Sequence, residues 1–363
     1  MAQVTHFFAG ANSGNGFQNL FPEIIDLNDA LDFIILKGGP GVGKNTFLRE
    51  LGRTMEKAGT AVEYLHCSGD PDSLDGVVFP EIHCAAADGT SPHVLEPRYP
   101  AAVDRYLDLG RFYDLISAKE NAAAVKDHTE AYKAAYARAY RAMNAARVLE
   151  LDAAARVNFN RARVERRFQG IARRELRRVG TQKGRVIRRF LGSMTYQGYL
   201  WRFDSIETLC PRVYELQDRF GFAAPMLEAL RRNASERRWD TLCCMSPENP
   251  EQIEHLLIPG LGLGFVTSRP GMEYGATPFR RVRIDALTDI PDKGALRLET
   301  RMVSALREDA FSALRDAKAA HDRLEAVYNP YVDFDGVRSV AALESGRFLN
   351  FLQQRRRGSR KQA

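Results

Sequence analysis

The chain has 363 residues, of which 45% are hydrophobic and 27% charged, a balance typical of a globular protein long enough for two domains. No apolar run is long enough to cross a bilayer, and the N-terminus lacks the charged and apolar regions of a secretory signal, so we expect a cytoplasmic protein without a membrane partner. The five cysteines show no C-x-x-C spacing, which argues against a disulfide framework or a zinc ribbon.

A glycine-rich loop stands between a predicted strand and a predicted helix near the start of the chain. The apolar run "DFIIL" predicts a strand buried on both faces of a parallel sheet. The run "NTFLRELGRTMEKAG" has apolar residues at helical spacing and predicts a helix that ends near Gly59. Between them, "GGPGVGKN" departs from the phosphate-binding pattern G-x-x-x-x-G-K-[ST] only at its last residue, Asn45.

The residue types of this loop suit a nucleoside triphosphate. Glycines let backbone N–H groups curl around a phosphate, and the N-terminus of the following helix adds positive charge. Lys44 is the predicted catalytic group, because its ammonium would stabilise charge on the transferred phosphoryl group. We predict that ATP, with GTP as the second choice, binds to Gly38, Gly39, Pro40, Gly41, Val42, Gly43, Lys44, Asn45 and Thr46.

Asn45 and Asp88 are the predicted ligands of Mg²⁺, and Asp88 is also a predicted catalytic residue. The pattern normally places a hydroxyl at position 45; an amide oxygen also binds hard cations, but it lies one atom farther from the backbone. Asp88 ends the apolar stretch "VVFPEIHCAAAD", as expected of a carboxylate at the end of a neighbouring strand, with a plain turn at "DG" as the alternative. The sequence therefore predicts retained nucleotide binding and impaired metal positioning.

Other polar residues of this region are weaker candidates for a substrate-binding or metal-binding site. The acidic loop that holds Asp70, Asp72 and Asp75 is a candidate substrate or metal site, with a simple turn as the alternative. Five histidines and cysteines are not predicted to bind metal, because adjacent residues of a strand point to opposite faces. They are His66, Cys67, His83, Cys84 and His93.

The chain contains an internal repeat. "HFFAGANSGNGF" resembles "RRFLGSMTYQGY" 182 residues later, and "GDPDSLDGVVFPEIHCAAADG" resembles "ENPEQIEHLLIPGLGLGFVTS" 179 residues later. In the second copy the loop position reads "DRFGFAAPM", without the glycine run or the lysine. We therefore predict a degenerate second copy that does not bind nucleotide in this way.

The repeat leads to an α/β fold of two tandem P-loop-like parallel-sheet domains, each followed by long helical segments. The predicted divisions are a nucleotide-binding domain at 1–115, a basic helical segment at 116–184, a degenerate second domain at 185–293, a helical segment at 294–350 and a basic disordered tail at 351–363. From Lys133 to Arg189 there are 17 basic and 4 acidic residues, so these helices are candidates for binding nucleic acid or a protein partner, with a solvated helix face as the alternative.

Several stretches together resemble a family of duplicated P-loop ATPase-like proteins of Firmicutes and relatives. The resemblance covers almost the whole chain and is carried by "HFFAGANSGNGFQNLF", "ILKGGPGVGKNTF", "HCSGDPDSLDGVVFPE", "ADGTSPH" and "IEHLLIPGLGLGFVTS". It implies ATP binding through Lys44 and the loop glycines and a metal role for Asp88. Members usually have Ser at the position of Asn45 and commonly keep a second phosphate loop, and both departures weaken the case for hydrolysis.

We therefore expect an ATP-binding P-loop protein with weak or no Mg²⁺-dependent hydrolysis. If hydrolysis occurs, an arginine of the second copy, such as Arg269, Arg280 or Arg281, is a candidate for stabilising the transferred charge. One alternative is a non-hydrolysing module that binds nucleic acid or a protein partner in response to nucleotide. Another is a small-molecule kinase with "SGDPDSLDG" as the acceptor loop.

Overall fold

The computed structural model describes residues 2–362. The strands of the first half are β1 (Val4–Phe8), β2 (Gly10–Ser13), β3 (Gly16–Asn19), β4 (Asp32–Lys37), β5 (Val62–His66), β6 (Leu74–Phe79), β7 (Cys84–Asp88) and β8 (Asp104–Asp108). Its helices are α1 (Lys44–Lys57), α2 (Leu115–Glu120) and α3 (Ala122–Ala155).

The second half continues the same kind of alternation. Its strands are β9 (Asn158–Phe159), β10 (Val186–Arg189), β11 (Gly192–Thr195), β12 (Gly198–Trp201), β13 (Arg212–Gln217), β14 (Thr241–Met245), β15 (Ile253–Ile258), β16 (Leu263–Ser268), β17 (Arg280–Arg283) and β18 (Thr288–Asp289). Its helices are α4 (Arg161–Glu175), α5 (Phe203–Leu209), α6 (Ala224–Glu236), α7 (Lys293–Tyr328) and α8 (Phe334–Gln362).

The first sheet has six strands in the order β1-β5-β6-β7-β4-β8. All its strands run the same way except β6, which is antiparallel to both of its neighbours. The prediction of a parallel sheet is therefore correct for five strands and wrong for β6. The reason is the short connection from Phe79 to Cys84, since parallel neighbours need a crossover of a dozen or more residues.

The second sheet has the same strand order, β10-β14-β15-β16-β13-β17, and the same single antiparallel strand, β15. The small hairpins β2-β3 and β11-β12 also correspond, and each turns through a glycine with positive φ, Gly16 at 94° and Gly198 at 103°. Two mixed α/β sheets of identical order, joined with long helices, agree with a duplication of one α/β domain.

The compact units of the chain differ from the predicted divisions. One unit comprises the residues up to Gly10, Asn19–Arg138 and the residues from Ala313 onward, and the other comprises Ala11–Gln18 and Ala139–Ser312. The boundaries fall inside β2, β3, α3 and α7 rather than at loops. The second part of α7 and the whole of the described α8 are thus part of the first unit, although they follow the second sheet in sequence.

Helix α8 belongs to the core of the first unit, so the prediction of a disordered tail at 351–363 is wrong for the described part of that tail. Four apolar side chains of α8 are buried in the cluster that also holds the apolar face of α1 and the strands beside it. They are Val337, Ala341, Phe348 and Leu352. Within the tail, Arg356 pairs with Glu81 at 2.8 Å. A buried face of this size orders a helix that is basic overall.

The arginine-rich segment forms α4, which has one buried stripe made by Val164, Phe168 and Ile171. Its arginines lie on the other faces and are mostly exposed, which agrees with the solvated helix face weighed above. Within residues 2–362, no helix is both long and apolar enough to cross a membrane.

Candidate functional site

The glycine-rich loop joins the carboxyl end of β4 to the N-terminus of α1, as the sequence predicts. Gly38, Gly41 and Gly43 have φ values of 141°, 74° and 93°, a backbone conformation that other residues rarely adopt. Because Gly43 is the residue directly before α1, the loop leads into the free N–H groups of the first helical turn. This strand–loop–helix geometry is one that can hold an anion at the helix N-terminus.

Lys44 lies across the loop. Its Nζ donates hydrogen bonds to the carbonyl oxygens of Gly38 at 2.7 Å and Gly39 at 3.0 Å, and it lies 3.5 Å from Asp88 Oδ2. The ammonium is therefore held over the loop with a carboxylate beside it. Thr46, by contrast, is exposed on the first turn of α1.

Asn45 has a structural partner that the sequence did not indicate. Its Oδ1 accepts hydrogen bonds from the backbone N–H of Leu74 at 3.1 Å and from Arg49 Nε at 3.0 Å. Both lone pairs of this oxygen are thus engaged, and a metal would have to displace one donor. The side chain fixes the start of β6, where Asp75 follows Leu74.

Asp88 is the last residue of β7, and β7 pairs in parallel with β4, with Leu36 opposite Asp88. Its Oδ1 accepts hydrogen bonds from the backbone N–H and the hydroxyl of Thr90, at 2.8 and 2.6 Å. These bonds leave Oδ2 next to Lys44. The structure therefore places the carboxylate at the strand end beside the loop.

The structure also brings together a group that the sequence did not assemble. Asp75, Asp88 and His93 are all buried, and their candidate ligand atoms lie within 4.8 Å of one another. His93 Nε2 lies 3.1 Å from Asp75 Oδ2. His93 is not a predicted metal ligand, because that prediction rests on adjacent residues of one strand; the turn after β7 brings His93 back to Asp88.

These three side chains fit a divalent cation. Two carboxylates suit Mg²⁺, and the imidazole nitrogen would also suit a softer ion such as Mn²⁺. Burial alone would lower the pKa of His93, but the neighbouring Asp75 carboxylate outweighs it, so the pKa of His93 lies above its usual value. The excess of negative charge in this group therefore attracts a cation or a proton.

The backbone at the end of α7, Asn329 just after it and a side chain of α8 pack against the loop within the same unit. A Cβ at Gly41 would lie 2.7 Å from the side-chain amide of Asn329, and a Cβ at Gly43 would lie 3.2 Å from Val337. Tyr113 donates a hydrogen bond to the Pro40 carbonyl at 2.7 Å. The two glycines are thus required both by their backbone angles and by these close neighbours.

The corresponding segment of the second unit has a different local geometry from the first loop. Helix α6 begins at Ala224, which corresponds to Lys44, and Ala223 before it has a φ of −75° where Gly43 has 93°. The carboxylate of Asp218 accepts hydrogen bonds from the backbone N–H groups of Phe222 at 3.0 Å and Ala223 at 2.6 Å. The Asp218 carboxylate therefore already accepts hydrogen bonds from the backbone amides that would otherwise be free to bind a phosphate.

Two arginines considered for charge stabilisation are engaged inside the second unit. Arg269 pairs with Glu248 at 3.3 Å and with Glu254 at 3.4 Å, and Arg281 pairs with Glu215 at 2.5 Å. Arg280 is exposed on β17.

The protein thus has two α/β sheets of the same strand order, the first with a glycine-rich strand–loop–helix segment and the second with a corresponding segment that lacks the glycine run and the lysine. Comparisons with protein-family models, with curated proteins and with solved structures found no match to this chain.

Proposed function

We propose that the first unit binds ATP at the loop from Gly38 to Thr46, together with a divalent cation held by Asp88 and Asp75. The observation that supports this proposal is the loop itself. Three glycines with positive φ lead into α1, and the Lys44 ammonium lies 3.5 Å from Asp88 at the same sheet edge. Within an α/β sheet, this edge is where ligands bind.

Each side chain has a distinct part in this proposal. The loop amides and Lys44 bind the β- and γ-phosphates, and Asp88 and Asp75 neutralise the cation that accompanies them. A bound Mg²⁺ would supply charge neutralisation of the phosphate oxygens. Asn45, whose amide oxygen is already engaged by Leu74 and Arg49, contributes little to the cation, so turnover is slow or absent.

Equilibrium titration tests the proposal directly. A fluorescent ATP analogue is titrated into the native chain with and without Mg²⁺, and unlabelled ATP, GTP and inorganic phosphate are used as competitors. Saturable binding that ATP displaces supports the proposal. If millimolar ATP does not bind either with or without Mg²⁺, the proposal is contradicted.

We expect Asn45→Ser to increase Mg²⁺-dependent phosphate release and to decrease stability. Serine offers a hydroxyl to the cation, but the backbone N–H of Leu74 loses its acceptor, at a cost of about 1–2 kcal/mol. Phosphate release at saturating ATP and urea unfolding measure the two effects.

Asn45→Ala is the matched control, because it loses the same hydrogen bonds without gaining the hydroxyl. If Asn45→Ser turns over no faster than Asn45→Ala, the missing hydroxyl does not limit hydrolysis.

A second candidate function is nucleic-acid binding by α4, and the observation that favours it is the row of exposed arginines opposite the buried stripe. The exposed arginines are Arg161, Arg163, Arg166, Arg167, Arg173 and Arg174. Such a row can contact successive phosphates of a nucleic-acid backbone without reading its sequence.

For this candidate we expect the double variant Arg166→Glu with Arg167→Glu to bind duplex DNA or RNA more weakly than the native chain. Loss of two phosphate contacts should also reduce the slope of log K against log salt by about 2. Arg53→Glu with Arg297→Glu is the charge-matched control, since both residues are exposed on other helices. If both double variants weaken nucleic-acid binding equally, the effect comes from the net charge of the protein and not from a specific surface on α4.

A further inference from the structure

A cavity of about 300 Å³ lies in the second unit, at the edge of the sheet where β13 and β16 end. Its walls come from the loops that follow β13, β14 and β16 and from segments of α3 and α7. The volume is at the lower end of the range for small-molecule sites. The lining combines apolar side chains with converging charged groups, as ligand sites do. The apolar members include Leu149, Phe220, Ile253, Leu296 and Val303.

Two half-buried arginines and three glutamates form an ion-pair network on the cavity wall. Arg307 pairs with Glu150 at 2.7 Å and with Glu248 at 2.6 Å. Arg269 pairs with Glu248 at 3.3 Å and with Glu254 at 3.4 Å. Glu248 is therefore shared by both guanidinium groups, whereas Glu150 and Glu254 each pair with one.

This network has more negative than positive charge. Burial and the like charge of Glu248 raise the pKa of Glu150 to about 7 despite the nearby arginines. Burial raises the pKa of Glu254 to about 7, in spite of Arg269. By contrast, burial alone would raise the pKa of Glu248, but Arg269 and Arg307 lower it to about 2. Two of the three carboxylates are thus under-compensated and would gain from an added cation.

Glu254 has an atom without a hydrogen-bonding partner on this wall. The residue is 8% exposed, and its buried Oε2 makes no hydrogen bond, with His255 Nε2 3.7 Å away. A buried carboxylate oxygen left in this state costs free energy unless a ligand or water satisfies it. Arg307 Nε, a donor on the same wall, is also without a partner.

The wall offers no excess of positive charge to a phosphate. Five carboxylates and four arginines line the cavity, and one of these carboxylates, Asp218, already accepts hydrogen bonds from the loop amides. A cation with hydrogen-bond donors is attracted by the carboxylates of the wall, and it can donate the hydrogen bond that Glu254 Oε2 lacks.

We propose that this cavity binds a small organic molecule through a protonated amine that donates a charged hydrogen bond to Glu254 Oε2. The unpartnered N–H of Arg307 offers a second anchor for a carboxylate on the same molecule. The ligand is therefore either a simple alkylamine or an α-amino acid, and the ammonium group is common to both. This site is independent of the nucleotide site proposed for the first unit.

Three probes of similar length test the proposal by isothermal titration calorimetry with the full chain. Pentylamine carries only the ammonium, L-norleucine carries the ammonium and a carboxylate, and hexanoate carries only the carboxylate. We expect pentylamine or norleucine to bind and hexanoate not to bind. Tighter binding of norleucine than of pentylamine would identify an α-amino acid as the ligand class. Binding of hexanoate alone, or of none of the three at millimolar concentration, would overturn the proposal.

The variant Glu254→Gln should weaken binding of the amine probe by about tenfold or more, because a charged hydrogen bond is lost. Glu251→Gln is the matched control, since Glu251 is exposed and lies only three residues away. Circular dichroism of both variants establishes that they are folded. Equal binding by Glu254→Gln and the native chain would overturn the assignment.

The pH dependence gives a second readout. The affinity of the native chain for pentylamine should rise from pH 6 to pH 8 as Glu254 becomes ionised, and this rise should be smaller in Glu254→Gln. Other charged groups around Glu254 contribute to the titration, namely Arg269, Glu248, Asp218, Arg307, His255 and Glu150. An unchanged pH profile in Glu254→Gln would contradict the role of this carboxylate.

Discussion

ATP binding by the Lys44→Ala variant is expected to be at least about 100-fold weaker than binding by the native chain. The variant removes an ammonium that can donate charged hydrogen bonds to two phosphates, each worth about 1.5–3 kcal/mol. It keeps the glycines whose positive φ values shape the loop. Fluorescence titration with an ATP analogue, with and without Mg²⁺, measures the difference.

Lys57→Ala is the matched control for this experiment. Lys57 lies in the last turn of the same helix and is exposed, so its loss should change ATP affinity by less than about twofold. Thermal unfolding of both variants separates a loss of binding from a loss of folding, because Lys44 also bridges the Gly38 and Gly39 carbonyls. If Lys44→Ala binds ATP as tightly as the native chain does, the proposed nucleotide site is wrong.

The Phe348→Ala variant is expected to lose about 3–5 kcal/mol of unfolding free energy in the first unit. Phe348 is fully buried on α8 and packs edge-on against Phe79 of β6, with ring centroids 5.6 Å apart. Truncation leaves a cavity between the last helix of the chain and the first sheet. Urea denaturation followed by circular dichroism measures the loss.

Leu343→Ala is the control on the same helix. Its side chain is 71% exposed, so the change should be within about 0.5 kcal/mol. If the two variants are equally stable, α8 is not part of the core of the first unit. Because α8 also contributes Val337 beside Gly43, Phe348→Ala should in addition weaken ATP binding modestly.

The connection between α8 and the first sheet has a polar component as well. Arg105 on β8 pairs with Asp32 at 3.1 Å and with Glu344 of α8 at 2.6 Å. Glu344 and Asp32 are both buried, so this contact is one that solvent screens little. The helix is thus held to the sheet edge by charge as well as by its apolar face.

The position of Asp88 at a strand end was predictable because the residues just before it in the sequence indicate a buried strand. A mostly apolar stretch ending in an acidic residue indicates the end of a buried strand, and the structure places Asp88 opposite Leu36 of β4. The same reason made three other features predictable, because each depends on the identities of consecutive residues. They are the strand β4, the helix α1 and the absence of the glycine run and lysine from the second copy.

Contacts between distant segments were not predictable from those patterns. Asn45 is predicted to contact the nucleotide and the metal, whereas its amide oxygen accepts a hydrogen bond from Leu74, 29 residues away. His93 meets Asp75 only because β6 and β7 form a hairpin, which a composition of mostly apolar residues does not reveal. The antiparallel direction of β6 depends on the same hairpin, so the apolar pattern does not predict it.

The sequence by itself determined the repeat, the elements around the first loop and the chemical difference between the two loops, because these depend on residue identity and local backbone preference. Only the tertiary structure decided which residues share a site. It assigned α8 to the first unit, joined the Asp218 carboxylate to the amides of the second loop and assembled Glu254, Arg269 and Arg307 around one cavity. These contacts depend on chain reversals over tens to hundreds of residues, and their energies appear only when buried charges and apolar faces meet.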